Sequence, residues 1–129
     1  LSSAASDVYK RQVKTHAGDV DFEVQPELLS LFSNCDFGRY AGEKGEMNVC
    51  FISNNDITGG NSGSAMFNAR GELLGLAFDG NWEAMSSDIL YEPKMQRCIG
   101  VDVRYILFMI EKYGKAGNLI RELKIVSGK

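Results

Sequence analysis

The stretch that decides the fold runs from Thr58 to Phe78. It reads TGGNSGS over residues 58–64 and AMFNARGELLGLAF over residues 65–78. The first seven residues form a turn-rich loop with a serine between glycines. The next fourteen predict two strands, Ala65–Asn68 and Glu72–Phe78, joined through Asn68-Ala-Arg-Gly71 as a hairpin with glycine in the turn. A serine nucleophile needs an exposed Oγ on a tight turn and two backbone N–H groups aimed at the developing oxyanion. Glycines on both sides of the serine permit that turn and let a substrate approach. Ser62 is therefore the candidate nucleophile, and the N–H groups of Gly60 and Ser62 are the candidate oxyanion donors. A phosphate-binding loop would need Gly-Lys-Ser/Thr, and no lysine is present. The α/β-hydrolase elbow would need glycine at position 64, where this chain has Ser64. A plain glycine-rich connection between strands remains the competing reading of the loop.

Upstream, Val20–Val24 alternates and predicts a short strand. Pro26–Ser33, with Leu28, Leu29, Leu31 and Phe32 at helical spacing, predicts a helix. Asn34–Glu46 is a glycine-rich loop, and Met47–Ser53 alternates as a half-buried strand. Asn55 and Asp56 read as turn formers. Downstream, Asp79–Pro93 reads as a loop that carries Trp82, expected to pack beside a pocket. Arg97–Val101 predicts a strand. Asp102 is placed to cap a helix whose Val103, Ile106, Leu107 and Ile110 share a face, Gly114 to end it, and Asn118 to cap a last turn through Leu123. Strands with glycine turns followed by a C-terminal helix point to a mainly β barrel or sandwich rather than alternating βαβ units.

Lys plus Arg number 14 and Asp plus Glu 17, so the net charge of −3 leaves no basic stripe for nucleic acid. The chain of 129 residues is the size of one domain. No apolar run reaches the ~20 residues of a membrane span. The three cysteines, Cys35, Cys50 and Cys98, form no C-x-x-C and no metal spacing with the single histidine, His16, so no metal site or cofactor is expected. Residues 1–18 are small and polar and read as a disordered tail, whose first part, LSSAASDVYKRQ, resembles a translated sequencing adapter. The chain has no initiator Met and no signal segment, and is expected to begin downstream of its gene's start.

A serine-glycine-serine loop running straight into a hairpin resembles the second barrel of chymotrypsin-like serine proteases. The resemblance goes further. TGGNSGS, then LAFDGNWE from Leu76, then the VDVRY helix start from Val101, together with FGRYAGEKGEMNV from Phe37, resemble the C-terminal end of the peptidase S46 family of bacterial dipeptidyl-peptidases. The likeness covers residues 20–126 and departs at Ala65, where the family usually has proline.

The resemblance implies a serine exopeptidase, with no cofactor, that releases dipeptides from the free N-terminus of peptides. It implies a chymotrypsin-like double barrel, with residues 19–129 the second barrel and C-terminal helix. Ser62 falls on the family's nucleophile, Asp79 on the carboxylate that holds the substrate's N-terminal amine, and Gly80 on a wall of the S1 pocket. A carboxylate there can pair with an α-ammonium. A glycine there is expected to leave room for a hydrophobic P1 residue, as in the dipeptidyl-peptidase 7-like branch. The triad's histidine and aspartate are implied to lie upstream, so His16 is not the base and the chain alone is expected to be inactive. A homodimer and export to the periplasm or cell surface are implied for the full-length protein. A trypsin-like or HtrA-like endopeptidase and a non-catalytic peptide-binding module are the alternatives.

Overall fold

The computed structural model describes residues 15–126. They divide into two compact units: residues 50–103, and the residues before 50 together with those from 104 on.

The unit of residues 50–103 is a four-stranded antiparallel sheet: β1 (Cys50–Ser53), β2 (Ala65–Phe67), β3 (Leu73–Gly80) and β4 (Cys98–Asp102), in the order β1-β4-β3-β2. The expected hairpin is present as β2 and β3. Asn68 closes it, because its Oδ1 accepts the N–H groups of Arg70 and Glu72 at 2.9 and 3.0 Å. β4 alternates buried and half-buried residues, with Cys98, Gly100 and Asp102 on the buried side. Close packing on the sheet depends on missing side chains. A Cβ at Gly100 would meet Met66 Sδ at 2.7 Å and Phe51 Cζ at 2.8 Å. The β3–β4 register slips between Ala77 and Asp79, so Phe78 is an extra residue in a bulge, while Asp79 pairs with Ile99 and Gly80 with Cys98. β3 therefore runs through Asp79 and Gly80, which sequence alone assigned to a loop. After it, Trp82–Ser86 forms a 3₁₀ turn.

The other unit contains α1 (Pro26–Ser33), α2 (Val103–Phe108) and α3 (Gly117–Glu122), with a π-helical turn at Met109–Tyr113. α1 has the expected bounds, with Pro26 at its start. Phe32, Phe37 and Phe108 pack edge to face with centroids 5.3–5.8 Å apart, and Met47 and Ile120 complete the buried apolar set. Of the expected apolar face, Leu107 is buried and Val103, Ile106 and Ile110 are half-buried; Phe108, outside that set, is buried as well.

Three local expectations are corrected. Val20–Phe22 is a 3₁₀ turn rather than a strand, because the Asp19 carboxylate accepts the Asp21 N–H at 3.1 Å and closes the chain on itself. Strand β1 begins at Cys50, not Met47. Gly114 ends the helical run as expected, capping the π-helical turn with a right-handed φ of −75°, and the left-handed conformation falls on Lys115 at φ 52°. The last helix starts after Ala116, which leaves Asn118 inside it.

The expected tail of residues 1–18, adapter-like part included, lies outside the described residues up to 14. From 15 to 18 the backbone turns rather than straying, with the Asp19 N–H on the His16 carbonyl at 3.0 Å and the His16 ring stacked on Phe22 at 4.2 Å. The mainly β expectation with a C-terminal helix holds: a small antiparallel sheet with a few helices. No helix among the described residues is long and apolar enough to cross a membrane.

Candidate active site

The Ser62 loop owes its shape to two left-handed glycines, Gly60 at φ 93° and Gly63 at φ 89°. A side chain at either position would strain the backbone by about 1–2 kcal/mol. Asn61 closes the loop from within: its Oδ1 accepts the Thr58 N–H at 2.9 Å, its N–H reaches the Thr58 carbonyl at 3.2 Å, and its carbonyl accepts the Ser64 N–H at 2.9 Å. The loop is then sewn to β3, with the Gly63 N–H on the Ala77 carbonyl at 2.7 Å and the Ala77 N–H on the Ser64 carbonyl at 2.9 Å. This zips the turn onto the strand immediately before the bulge.

Ser62 is exposed, and its Oγ donates to the carbonyl of Phe78, the bulged residue, at 3.3 Å. Among the described residues the N–H groups of Gly60 and Ser62 have no intramolecular acceptor, as oxyanion donors require. No base is bonded to Ser62, since the hydroxyl's partner is a backbone carbonyl and the His16 ring lies on Phe22.

The next residue after the bulge is Asp79. It is exposed, and its Oδ1 accepts the Gly80 N–H at 2.8 Å. The structure thus brings together Ser62, the free amides of its loop and the Asp79–Gly80 strand end. Among the described residues no group of three or more His, Cys, Asp or Glu could hold a metal ion.

Residues 81–96 brace this face. Thr58 Oγ1 donates to Asp88 at 2.5 Å and Ser87 Oγ donates to the Ile57 carbonyl at 3.2 Å. Buried Gln96 accepts the Glu92 N–H and donates to Ser86 Oγ and the Leu90 carbonyl. A groove of about 520 Å³ lies against this segment, lined by Trp82, Met85, Ser86, Met95 and Gln96 among others. Trp82 is 82% exposed, so the expectation that it packs beside a pocket gives way to an open indole at a groove edge. Sequence reasoning missed Asn61, Gln96 and Asp88. The available signal was a polar side chain beside glycine or within a turn, where its short amide or carboxylate substitutes for backbone partners.

A family model for peptidase S46 matches residues 6–125. The chain belongs to the peptidase S46 family. The match begins inside the stretch 1–18 that sequence reading set apart. The chain is 57% identical over 121 residues to a dipeptidyl-peptidase 7 of Porphyromonas endodontalis, covering 94% of this chain and 14% of that protein. It is 50% identical to an Asp/Glu-specific dipeptidyl-peptidase of Capnocytophaga gingivalis, covering 84% and 15%. A crystal structure of Porphyromonas endodontalis DPP11 with the dipeptide Arg-Glu superimposes with a TM-score of 0.78 at 46% identity, covering 81% and 15%. The chain thus spans about one seventh of the length of its S46 relatives.

These likenesses overturn the hydrophobic P1 expectation, because Asp/Glu-specific S46 enzymes match the same stretch and the matched structure holds a dipeptide ending in glutamate. The packing gives the physical reason. The space a side chain at Gly80 would take is not an open pocket: a Cβ there would meet Ala84 Cβ at 2.9 Å and Ile57 Cγ2 at 3.5 Å. Glycine here allows a close approach of the following turn, and a missing side chain by itself selects no P1 chemistry.

Proposed function

We propose that this chain carries the nucleophile and the amine-binding carboxylate of a serine-type dipeptidyl-peptidase, which releases dipeptides from the free N-terminus of peptides. The observation that carries the reading is the Ser62 turn: two left-handed glycines, two amides without acceptors, and a hydroxyl bonded to the residue that precedes Asp79. In this reading Asp79 pairs with the substrate's α-ammonium and so measures two residues to the bond that Ser62 attacks. Gly80 shapes the adjoining wall through its backbone. The Gly60 and Ser62 amides hold the oxyanion. A histidine from the remaining six sevenths of the enzyme takes the Ser62 proton and returns it to the leaving amine. The Ser62 hydroxyl must leave the Phe78 carbonyl to reach that base.

Without a histidine the chain alone loses on the order of 10⁶-fold in kcat and is inactive. Homodimer formation and export to the periplasm or cell surface belong to the same proposal for the full-length enzyme, on the strength of the family resemblance.

The test is Ser62→Ala in a full-length enzyme bearing this segment. Dipeptide release is expected to fall by on the order of 10⁶, and blocking the peptide's N-terminus is expected to stop the wild-type enzyme. Unchanged release in the variant would remove Ser62 from the mechanism. Continued cleavage of the blocked peptide would make the enzyme an endopeptidase.

A further inference from the structure

Asn81 stands where β3 stops being a strand. Gly80 is still paired with Cys98 in the ladder, while Asn81 itself begins the 3₁₀ turn at Trp82–Ser86. The ladder nevertheless gains one more rung. The Asn81 N–H donates to the Arg97 carbonyl at 2.9 Å, and the Arg97 N–H donates not to a backbone oxygen but to Asn81 Oδ1 at 2.8 Å. The side-chain carbonyl therefore replaces the main-chain carbonyl that the turn carries away. The other half of the same amide faces the loop, where Nδ2 donates to the Met95 carbonyl at 2.9 Å and to Glu83 Oε2 at 2.7 Å. Only a carboxamide can accept on one side and donate twice on the other, and glutamine is one methylene longer. One side chain thus fixes the end of β3, the start of β4 and both ends of the intervening turn.

From this geometry we infer that Asn81 is a positioning residue that holds the Asp79–Gly80 strand end where the substrate's N-terminal amine docks. The inference rests on the dipeptidyl-peptidase reading above. Beyond the Asp79–Ile99 and Gly80–Cys98 pairs the Asn81 clasp is the last rung: among the described residues the Asp79 carboxylate bonds only the Gly80 N–H, and this short strand end lies between a bulge and a turn. Both of those neighbours would let the strand end drift if the Asn81 clasp opened. Ser62 is tied independently: its hydroxyl bonds the carbonyl of the bulged Phe78, and the next two residues, Gly63 and Ser64, bond Ala77 ahead of the bulge. Loss of the clasp should therefore disturb amine binding and spare the nucleophile.

The experiment uses the full-length enzyme with Asn81→Asp, which keeps the shape and removes both donors. It also places a carboxylate against Glu83 and the Met95 carbonyl. The KM for a peptide with a free N-terminus is expected to rise about tenfold, with kcat and the rate of Ser62 labelling by a fluorophosphonate within about twofold of wild type. Asn81→Ala, which loses those two donations and also the acceptor for the Arg97 N–H, without adding a charge, is expected to show at least the same split and stands in if the first variant does not fold. Adding Glu83→Gln to Asn81→Asp restores a donor–acceptor pair and is expected to recover at least half of the lost affinity.

An unmoved KM in both single variants overturns the inference. So does a parallel fall of kcat and labelling, which would mean a collapse of the whole site. A wild-type enzyme that releases no dipeptide overturns the activity reading itself, whereas wild-type release with unmoved variants overturns this inference alone.

Discussion

Replacing Gly75 with alanine should open the middle of the sheet. Gly75 lies in β3 opposite Asp102, and a Cβ on it would sit 2.0 Å from the Val101 carbonyl oxygen and 2.8 Å from Phe51 Cε1. Carbon and carbonyl oxygen settle at about 3.3 Å in sheets, so the strands would have to part by roughly 1.3 Å. Both clashing partners on the Val101 side are backbone, and no rotamer relieves them. Parting β3 from β4 stretches two or three ladder hydrogen bonds, each worth about 0.5–1.5 kcal/mol net, for a total of about 1–4.5 kcal/mol. Gly100→Ala is the control: its Cβ meets the ends of Met66 and Phe51, which can move, and overpacking of that kind costs about 1–3 kcal/mol. The assay is amide hydrogen exchange along β3 and β4 in the full-length enzyme. For Gly75→Ala the Leu76 and Val101 amides should exchange roughly 5- to 2,000-fold faster, at about 1.36 kcal/mol per tenfold. The Gly100 variant should change less. Exchange within threefold of wild type in Gly75→Ala would refute the reasoning, because it would mean that the strands absorb the methyl without separating.

Two further outcomes follow from side-chain bonds. Gln96→Leu keeps the volume but removes the partners of the Glu92 N–H and the Leu90 carbonyl, at about 0.5–1.5 kcal/mol for each part-buried bond; limited proteolysis within residues 86–96 should accelerate while β3 and β4 stay protected. At the hairpin, hydrogen bonds from the Arg70 guanidinium and then from Asn68 hold the Glu72 carboxyl below its ordinary range. A depressed folded pKa means that this bonding supports the turn at pH above the ordinary carboxylate range and is lost as pH falls through the depressed value. In Arg70→Ala the Glu72 titration, followed by carbon NMR of its carboxyl, should move upward, and an unmoved titration would rule out the Arg70 contact in solution.

What sequence could reveal was the part ruled by local chemistry. The TGGNSGS loop and its hairpin were legible because glycine spacing and a strand–turn–strand pattern leave few backbone alternatives. Helix α1 was legible down to its ends because Pro26 sets one and the leucine spacing runs to the other. The failures have a common cause. Val20–Val24 alternates like a strand, but five residues of alternation do not supply a pairing partner, and the Asp19 carboxylate closed a turn instead. Asp79-Gly80 carries the composition of a turn, yet pairing with Ile99 and Cys98 keeps it extended, and a partner twenty residues away leaves no mark nearby. The room at Gly80 was misjudged for the same reason: the residue that fills the place of its missing side chain, Ala84, lies in a turn whose course depends on bonds such as that between Asn81 and Arg97. Ser62 and Asp79 were named from a motif and a resemblance, while the groups that hold them, Asn61 and Asn81, act through bonds that only three dimensions display.

The strand order β1-β4-β3-β2 has a consequence for how the chain comes into being. Strands β2 and β3 are neighbours in sequence and can join as soon as both exist, since closing a short loop costs little. Strand β1 is synthesised before either of them, yet its only partner in the sheet is β4, the last strand to be made. At ribosomal rates of about 5–20 residues per second, Cys50–Ser53 waits roughly 2–10 s for that partner. Throughout that wait the segment stands without the strand it pairs with among the described residues, so a vulnerable interval in the life of this sheet falls during translation, when the nucleophile loop has only the β2–β3 hairpin to rest upon.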